Sequence, residues 1–246
     1  MNNNEVFIFS NFFFFLCLLL TVKICTADPL PQKPLYQIDF TQTQGDSRAW
    51  LSQQQFTLKK DMREKGKLQL TSTKEKGLHI STQEAAFGIA AKKDISLNQV
   101  DRVVIEWGVE QYPAQASWEK QINREALMVT LFFGPKVRAD HFYLPDLPYF
   151  IGLFLCQNDK IHIPYQGKSY QETSRYICLD SPATGHSIQS EFQISDVYKE
   201  WFTATTVPPL TGIAIEADTS DLDNGEAAAF LKRISFYGQP QAQVVP

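Results

Sequence analysis

Residues 102–112 read Arg-Val-Val-Ile-Glu-Trp-Gly-Val-Glu-Gln-Tyr and alternate between two chemical characters. The odd-numbered positions at the centre of this segment are apolar: Val103, Ile105, Trp107 and Val109. Successive side chains of a β-strand point to opposite sides, so these four share one face. The segment therefore predicts a strand with one face in a core, and with Glu106 and Glu110 on the other face.

Ten further short runs rich in β-branched and aromatic residues lie between turn residues. They are 36–40, 68–72, 78–82, 87–91, 125–134, 149–156, 176–179, 190–194, 212–217 and 227–236. Helical patterning is scarce: only 196–202 predicts a short helix, with Ser195 as its N-cap. Eleven strands without βαβ alternation predict an all-β fold, an antiparallel β-sandwich or barrel with one short helix.

The strand 125–134 alternates like 102–112, with Leu127 and Val129 on one face. If the two strands are neighbours across the connection 113–123, Arg124 pairs with Glu106 or Glu110. The same alternation predicts that Glu125 lies on the side of Leu127. The run 149–156 is apolar on both faces, which predicts a central strand covered on both sides.

Residues 7–22 are almost wholly apolar and are followed by Lys23. With small residues before Asp28, this pattern predicts a cleaved signal peptide, 1–27, and an exported protein, periplasmic or secreted. Residues 1–6 lack Lys and Arg, so an uncleaved membrane anchor and a buried segment stay open as alternatives. The rest is predicted as a loose segment, 28–35, a single sandwich domain, 36–237, and a disordered tail, 238–246.

Composition restricts the partners. The formal net charge is −4, which argues against nucleic acid as a partner. The basic window 59–67 is interpreted as a solvated loop, with an anionic-ligand patch as the alternative. A membrane is expected as a partner only through an uncleaved leader.

Loss of the leader would remove Cys17 and Cys25 and leave Cys156 and Cys178. In an oxidising compartment these two are predicted to form a disulfide, with antiparallel neighbouring strands bringing them together. Two buried free thiols are the alternative.

The strand 102–109, together with GIAIEADT at 212–219 and AAAFLKRISF at 227–236, resembles an uncharacterised family of exported bacterial β-sandwich proteins. More distantly, it is similar to the galactose-binding-like jelly rolls of carbohydrate-binding modules. This resemblance implies a jelly-roll sandwich and suggests glycan binding, in some members with a structural calcium ion. It transfers no binding residue and specifies no reaction.

The densest run of oxygen ligands is 216–225. Its carboxylates are candidate ligands of a calcium ion, the one cofactor for which the sequence offers a site: Glu216, Asp218, Asp221 and Asp223. A solvated turn, in which Asn224 and Gly225 adopt positive φ angles, is the alternative.

Aromatic residues concentrate in connections, where sugar rings would find planes on which to stack. The candidate ligand-binding residues are Trp118, His141, Tyr143, Tyr165, Glu106, Glu110 and Arg124. The alternative is that these aromatics only pack onto the edge of the sandwich.

No nucleophile, phosphate-binding or zinc motif is present, and the four histidines are dispersed. Glu106 and Glu110 would have Cα atoms roughly 13 Å apart on one strand, whereas catalytic carboxyl pairs are about 5 to 9.5 Å apart. We therefore expect a non-catalytic protein that binds a glycan of the cell envelope. A polysaccharide hydrolase or lyase using Glu106 or Glu110, and a structural envelope protein with protein partners, are the alternatives.

Overall fold

The structure is a computed structural model that describes residues 32–139 and 141–239. The predicted signal peptide, residues 28–31 of the loose segment and residues 240–246 of the tail lie outside these residues. No helix in the described part of the chain is long and apolar enough to cross a membrane.

Strands dominate the described residues. In chain order they are β1 (Tyr36–Asp39), β2 (Phe56–Lys60), β3 (Leu68–Thr73), β4 (Gly77–Gln83), β5 (Phe87–Leu97), β6 (Val100–Gln111), β7 (Glu125–Val137), β8 (Leu147–Leu155), β9 (Pro164–Tyr165), β10 (Ser174–Asp180), β11 (Ile188–Gln193), β12 (Leu210–Asp218) and β13 (Glu226–Gly238). The helices are α1 (Ser47–Gln53), α2 (Ser195–Trp201) and a single 3-10 turn, Phe40–Gln42.

The strands form two sheets. The six-stranded sheet has the order β11-β6-β13-β4-β3, with β1 also paired to β13, and the seven-stranded sheet has the order β2-β5-β12-β7-β8-β10-β9. The chain passes repeatedly from one sheet to the other, and the predicted antiparallel β-sandwich of the jelly-roll type is confirmed.

The main core lies between the two sheets and follows the predicted alternation. Val103, Ile105, Trp107 and Val109 are fully buried in it. The one polar atom of the Trp107 side chain is satisfied, because Nε1 donates to Ser190 Oγ at 2.8 Å. The inward face of β6 thus removes a large apolar area from water without leaving a polar group unpaired.

The predicted pairing of the 102–112 and 125–134 strands is wrong. β6 pairs with β11 and β13 in one sheet, whereas β7 pairs with β12 and β8 in the other. The connection between β6 and β7 therefore crosses from sheet to sheet, and Arg124 lies far from any cross-strand position opposite Glu106 or Glu110.

The prediction for the 149–156 run is confirmed. β8 lies between β7 and β10, and Phe150, Ile151, Leu153 and Phe154 are all buried. Ile151 and Leu153 face the main core, whereas Phe154 packs in a second apolar cluster on the outer side of the seven-stranded sheet.

The predicted disulfide is present, but its strands run differently from the expectation. Cys156 and Cys178 are bonded, with their Cα atoms 5.7 Å apart. Cys178 lies on β10, which pairs with β8 in parallel rather than antiparallel. Cys156 directly follows the last residue of β8, so the bond links the ends of two neighbouring strands, β8 and β10, on the same side of the sheet.

The short helix is confirmed, with a correction to its start. Ser195 is the first residue of α2, Ile194 occupies the N-cap position, and no side chain caps the helix. The Ser195 hydroxyl instead donates to Asp101 Oδ1 at 2.7 Å. Three further elements were not predicted: the strands β2 and β9, and the helix α1, whose N-cap Asp46 accepts a hydrogen bond from the backbone N–H of Ala49.

Candidate functional site

The connection between β7 and β8 exposes three consecutive aromatic residues. Phe142 is 99% exposed and Tyr143 is 67% exposed. The rings of His141 and Tyr143 stack with a centroid distance of 5.2 Å and an interplanar angle of 4°. We call residues 141–143 the loop platform, because their three rings contact one another and are all exposed to solvent.

Hydrogen bonds hold the segment around the loop platform. The backbone N–H of Leu144 donates to the His141 carbonyl at 3.0 Å, which closes a turn. Downstream, the Asp146 carboxylate accepts from the backbone N–H of Ala139 at 3.1 Å, and the Tyr170 hydroxyl donates to the Pro145 carbonyl at 2.8 Å. A loop fixed in this way loses little conformational entropy when it binds a ligand.

Trp118, in contrast, is buried on the outer side of the seven-stranded sheet. Its ring lies 4.4 Å from the ring of Tyr176 and 5.1 Å from that of Phe154, centroid to centroid. Tyr176 in turn lies over Gly152, where an added Cβ would come within 2.8 Å of its Cδ1 atom. The rings of this outer aromatic cluster pack on each other and on the disulfide, so Trp118 has no free face for a sugar.

The loop that carries Trp118 is anchored by one carboxylate. Asp159 accepts from Ser117 Oγ at 2.6 Å and from the backbone N–H of Trp118 at 2.9 Å. Tyr165 belongs to the same arrangement: its hydroxyl donates to the Lys160 carbonyl at 2.8 Å, and its ring lies 6.4 Å from Trp118. These contacts give Trp118 and Tyr165 a structural role in the outer aromatic cluster.

Arg124 lies beside the acidic segment that the sequence analysis singled out as a cation site. Its guanidinium lies 3.5 Å from the Asp218 carboxylate and also contacts Asp221. Asp218 further accepts from the backbone N–H and the hydroxyl of Ser220, at 2.9 and 2.7 Å. Arg124 therefore already supplies positive charge to two of the four candidate ligands.

The four candidate calcium ligands do not converge in the arrangement observed. Asp223 is exposed, and nowhere in 32–139 or 141–239 are three or more His, Cys, Asp or Glu side chains grouped so as to hold a metal ion. As the side chains lie, the residues do not fit a calcium ion. The calcium site stays a prediction, and it would require Arg124 to withdraw from Asp218 and Asp221.

Two carboxyl groups of this region have raised pKa values: the buried Glu125 and the candidate ligand Glu216. Burial, followed by the charges of Glu216 and Asp218, raises the pKa of Glu125 well above its usual value. Burial, with a further contribution from Asp218, raises the pKa of Glu216 to about 8. Burial also raises the pKa of the neighbouring Tyr176. These groups favour their neutral forms because an apolar environment disfavours charge.

Unsatisfied polar atoms concentrate at this point. Five buried side-chain nitrogen or oxygen atoms of the described residues lack a hydrogen-bond partner, and four of them belong to Trp118, Asn123, Arg124 and Glu125. The indole of Trp118 lies close enough to Glu125 to influence its carboxyl group, although Trp118 Nε1 and Glu125 Oε2 have no hydrogen-bond partner. The start of β7 is thus electrostatically costly for the fold.

Glu125 is on the opposite face from the one predicted. In the pairing of β7 with β12, Glu216 lies opposite Met128 and Asp218 lies opposite Glu125. The step of two residues from Glu216 to Asp218 on β12 is therefore matched by a step of three residues from Met128 to Glu125 on β7. Because of this extra residue, Glu125 lies with Met128 on the outer face of the sheet and not with Leu127 in the core. This bulge, invisible to a strict period of two, brings Glu125 next to Glu216.

Glu106 and Glu110 lie on the outer face of the other sheet and are both paired. Glu106 lies 2.7 Å from Lys232 Nζ and 3.3 Å from Arg233 Nη1. Glu110 contacts Lys76, and its Oε2 lies 2.7 Å from His79 Nε2. The hydrogen bond from Lys76, aided by His79, holds the pKa of Glu110 below its usual value.

The predicted ligand-binding residues therefore fall in three separate places. His141 and Tyr143 form the loop platform, Trp118, Tyr165 and Arg124 lie on the outer side of the seven-stranded sheet, and Glu106 and Glu110 lie on the six-stranded sheet. Sequence reasoning missed Glu125 and Tyr176 as members of the second group. The sequence signal that could have identified Glu125 is the polar run Asn123-Arg124-Glu125 at the start of an apolar strand.

The chain matches no protein-family model and no curated protein. Among solved structures, it is similar to TmCBM61 in complex with beta-1,4-galactotriose, at 7% identity and a TM-score of 0.32, covering 75% of this chain and 88% of that chain. It is similar to CsCBM6-3 from Clostridium stercorarium in complex with cellobiose, at 7% identity and a TM-score of 0.30, covering 74% and 94%. It is also similar to the metal-free carbohydrate recognition domain of Emp46p, at 13% identity and a TM-score of 0.41, covering 85% and 98%. No residue role is transferred from these similarities.

Proposed function

We propose that this protein is a non-catalytic carbohydrate-binding protein that uses the loop platform. The observation that carries the proposal is the stacked pair His141 and Tyr143 beside the fully exposed Phe142. Large aromatic side chains at such exposure cost solvation free energy, and contiguous ones mark interaction sites.

The chemistry of the loop platform suits a sugar better than an apolar ligand. A pyranose ring presents C–H groups that pack on an aromatic plane, while its hydroxyl groups need polar partners around that plane. The loop carries such partners in His141, Asp146 and the exposed Arg138, and the exposed Lys136 lies at the end of β7. The ligand class we propose is a glycan of the cell envelope.

Export is part of this proposal. The disulfide between Cys156 and Cys178 supports it, because such bonds persist in oxidising compartments. The apolar leader in the sequence gives independent support.

The enzymatic alternative receives no specific support from the site. Glu106 and Glu110 both lie in ion pairs with neighbouring cations, which favour the ionised carboxylate. The general acid of a hydrolase must instead be protonated, which requires a carboxyl group with a raised pKa. Formation of product from envelope glycans, lost in Glu106→Gln, would be required to favour a hydrolase or lyase.

A glycan array with the full chain tests the proposal, followed by titration of any glycan that binds. We expect Tyr143→Ala to weaken binding about threefold to tenfold, since an aromatic stack contributes about 0.5 to 1.5 kcal/mol. Tyr143→Phe keeps the ring and should bind like the parent. Ile161→Ala is the matched control, because Ile161 is also an exposed apolar residue, at 44%, outside the loop platform.

Two outcomes would contradict the proposal. One is the absence of any glycan ligand for the parent chain, and the other is unchanged glycan binding in Tyr143→Ala. Co-purification of an envelope protein without glycan binding would favour the structural alternative instead.

A further inference from the structure

The outer face of the six-stranded sheet contains a small depression with a cavity volume of about 80 Å³. It is lined by Gln37, Val104, Glu106, Gln189, Arg233, Ser235 and Tyr237. We propose that this depression, the β13 groove, is a second ligand site and that it binds a neutral, hydroxyl-rich molecule such as a saccharide ring. The proposal extends the proposed carbohydrate-binding function and in that sense rests on it, but it uses none of the residues of the loop platform.

The strand register explains why a groove forms here. Ser235 on β13 lies opposite Val104 on β6, and both side chains are short. On one side of this pair stands the row of Arg233 and Glu106, and on the other stands the row of Tyr237 and Arg102. The long side chains of these two rows project beyond the short side chains of Ser235 and Val104. They therefore form the walls of a groove that runs across the strands, with Ser235 and Val104 as its floor.

The charges around the groove are balanced within the protein. Glu106 is paired with Lys232 at 2.7 Å and with Arg233 at 3.3 Å, and Arg233 also lies 3.4 Å from Asp39. On the other wall, Arg102 Nη1 donates to Glu191 at 3.0 Å. A charged ligand would have to break one of these pairs, whereas a neutral hydroxyl group can donate to the carboxylates and accept from the cations without doing so.

Several lining groups retain hydrogen-bonding capacity. Within the described part of the chain, no hydrogen bond is made by the side-chain amide of Gln189 or by the hydroxyl of Tyr237, and both residues line the groove. Gln37 Nε2 donates to Ser235 Oγ at 2.9 Å, which leaves the Gln37 carbonyl oxygen available. The groove therefore offers both donors and acceptors at its rim, as the hydroxyl groups of a sugar require.

The aromatic wall is held in place. The guanidinium of Arg102 lies 4.1 Å from the centroid of the Tyr237 ring, and Arg102 is itself fixed by Glu191 and by Gln32 Oε1, at 3.0 and 3.2 Å. Tyr237 thus presents a fixed ring edge and hydroxyl to the groove. A fixed wall reduces the entropic cost of binding.

The experiment is a titration of the isotope-labelled full chain, followed through backbone amide signals in NMR. The probes are methyl β-glucoside and methyl β-galactoside as neutral sugars, with glucuronate as the charged comparison. We expect at least one neutral sugar to produce saturable shifts at Val104, Gln189 and Ser235, and glucuronate to produce weaker ones. Gln189→Ala should weaken this binding about threefold to tenfold, the value of one or two hydrogen bonds.

Matched variants keep the result interpretable. Gln193→Ala changes the same residue type four residues further along β11, on the same face of the strand, and should leave the affinity unchanged. Ser235→Leu should fill the floor and abolish the shifts. If Ser235→Leu does not fold, Gln189→Ala alone decides the result.

Absence of saturable shifts at the groove with both neutral sugars would overturn the proposal, as would equal effects of Gln189→Ala and Gln193→Ala. The two proposals fail separately. If Tyr143→Ala loses glycan binding but the NMR shifts at Gln189 persist, both sites are supported. If the shifts at Gln189 occur but Tyr143→Ala binds glycan like the parent, only the β13 groove is supported.

Discussion

The guanidinium of Arg124 lies 3.5 Å from the carboxylate of Asp218, and the two side chains are only 14% and 16% exposed. The pair joins the residue before β7 to the last residue of β12. Around it lie Glu125, Glu216 and Asp221, so the Arg124 guanidinium interacts with four carboxyl groups, Asp218 included. This relationship, and not the acidic composition of 216–225 alone, determines the electrostatics of that end of the sandwich.

Removing Arg124 should destabilise the fold strongly. Arg124→Ala leaves Asp218 partly buried without its cation, beside two other buried carboxyl groups, and we expect a loss of about 3 kcal/mol in the free energy of unfolding. Asp221→Ala is the control, because that side chain is 67% exposed and an exposed pair contributes at most about 1 kcal/mol. Urea denaturation measures both, and equal losses in the two variants would contradict the assignment.

Stability should fall as the pH rises. The pKa values of Glu125 and Glu216 are raised by burial, Glu216 to about 8, so the folded state binds these protons more tightly than the unfolded chain. Their contribution is most favourable below the unfolded pKa, about 4.3, and is lost progressively as the pH approaches the folded values. The depressed pKa of Glu110 acts in the opposite direction, but only as the pH falls below its usual value.

Thermal melts between about pH 5 and about pH 9 test this sign. In that window we expect the melting temperature of the parent to decrease, and Glu216→Gln, which mimics the protonated carboxyl group, to reduce the decrease by about 3 °C or more. Glu172→Gln makes the same change on the exposed surface. A parallel pH profile for Glu216→Gln and Glu172→Gln would show that Glu216 does not control the dependence.

Substitutions at Trp118 and Tyr143 should have different effects: the first should lower the stability of the fold, and the second should leave the stability unchanged and weaken glycan binding. Trp118 is 6% exposed and packs between Phe154 and Tyr176, so Trp118→Ala should cost about 3 to 5 kcal/mol of stability. Tyr143→Ala, on the exposed loop platform, should change stability by no more than about 0.5 kcal/mol. Calorimetry checks both, and a destabilised Tyr143→Ala would mean that the loop platform is a packing element.

The disulfide should protect the folded state measurably. A peptide map under non-reducing conditions is expected to contain a linked Cys156–Cys178 fragment. Replacing both cysteines by alanine should lower the free energy of unfolding by about 3 kcal/mol, since the bond closes a loop of 22 residues. Recovery of the two cysteines as separate alkylated peptides without reductant would exclude the bond.

Much of the sandwich is predictable from local pattern. The alternation around Trp107 identifies the core face of β6, and the apolar run around Ile151 identifies β8 as an interior strand. Both inferences depend only on the period of two along a strand and on the transfer of apolar surface out of water. The short helix was predicted from Ser195 as its N-cap, and the helix is present although no side chain caps it.

The candidate sites were less predictable because their members come from distant parts of the chain. Tyr143 was identified correctly as a residue of an exposed connection, while Trp118, which has the same composition signal, turned out to be buried. The difference lies in what packs on each loop. Asp159 accepts a hydrogen bond from the backbone of Trp118 and Tyr176 packs on its ring, whereas Tyr143 contacts only its loop neighbours His141 and Phe142 among the described rings and stays 67% exposed.

The sequence by itself determined the fold class and the inward faces of β6 and β7, because both follow from residue type and short-range periodicity. The cysteine pair was predicted from the loss of Cys17 and Cys25 with the leader, with two free thiols as the alternative. The tertiary structure decided which strands are neighbours, that β8 and β10 run parallel, and that a bulge turns Glu125 toward Glu216. It also decided that Arg124 meets Asp218 and not Glu106. Pairing between distant segments depends on the packing of the whole sandwich, and neither the register nor a single inserted residue leaves a signal in the local pattern.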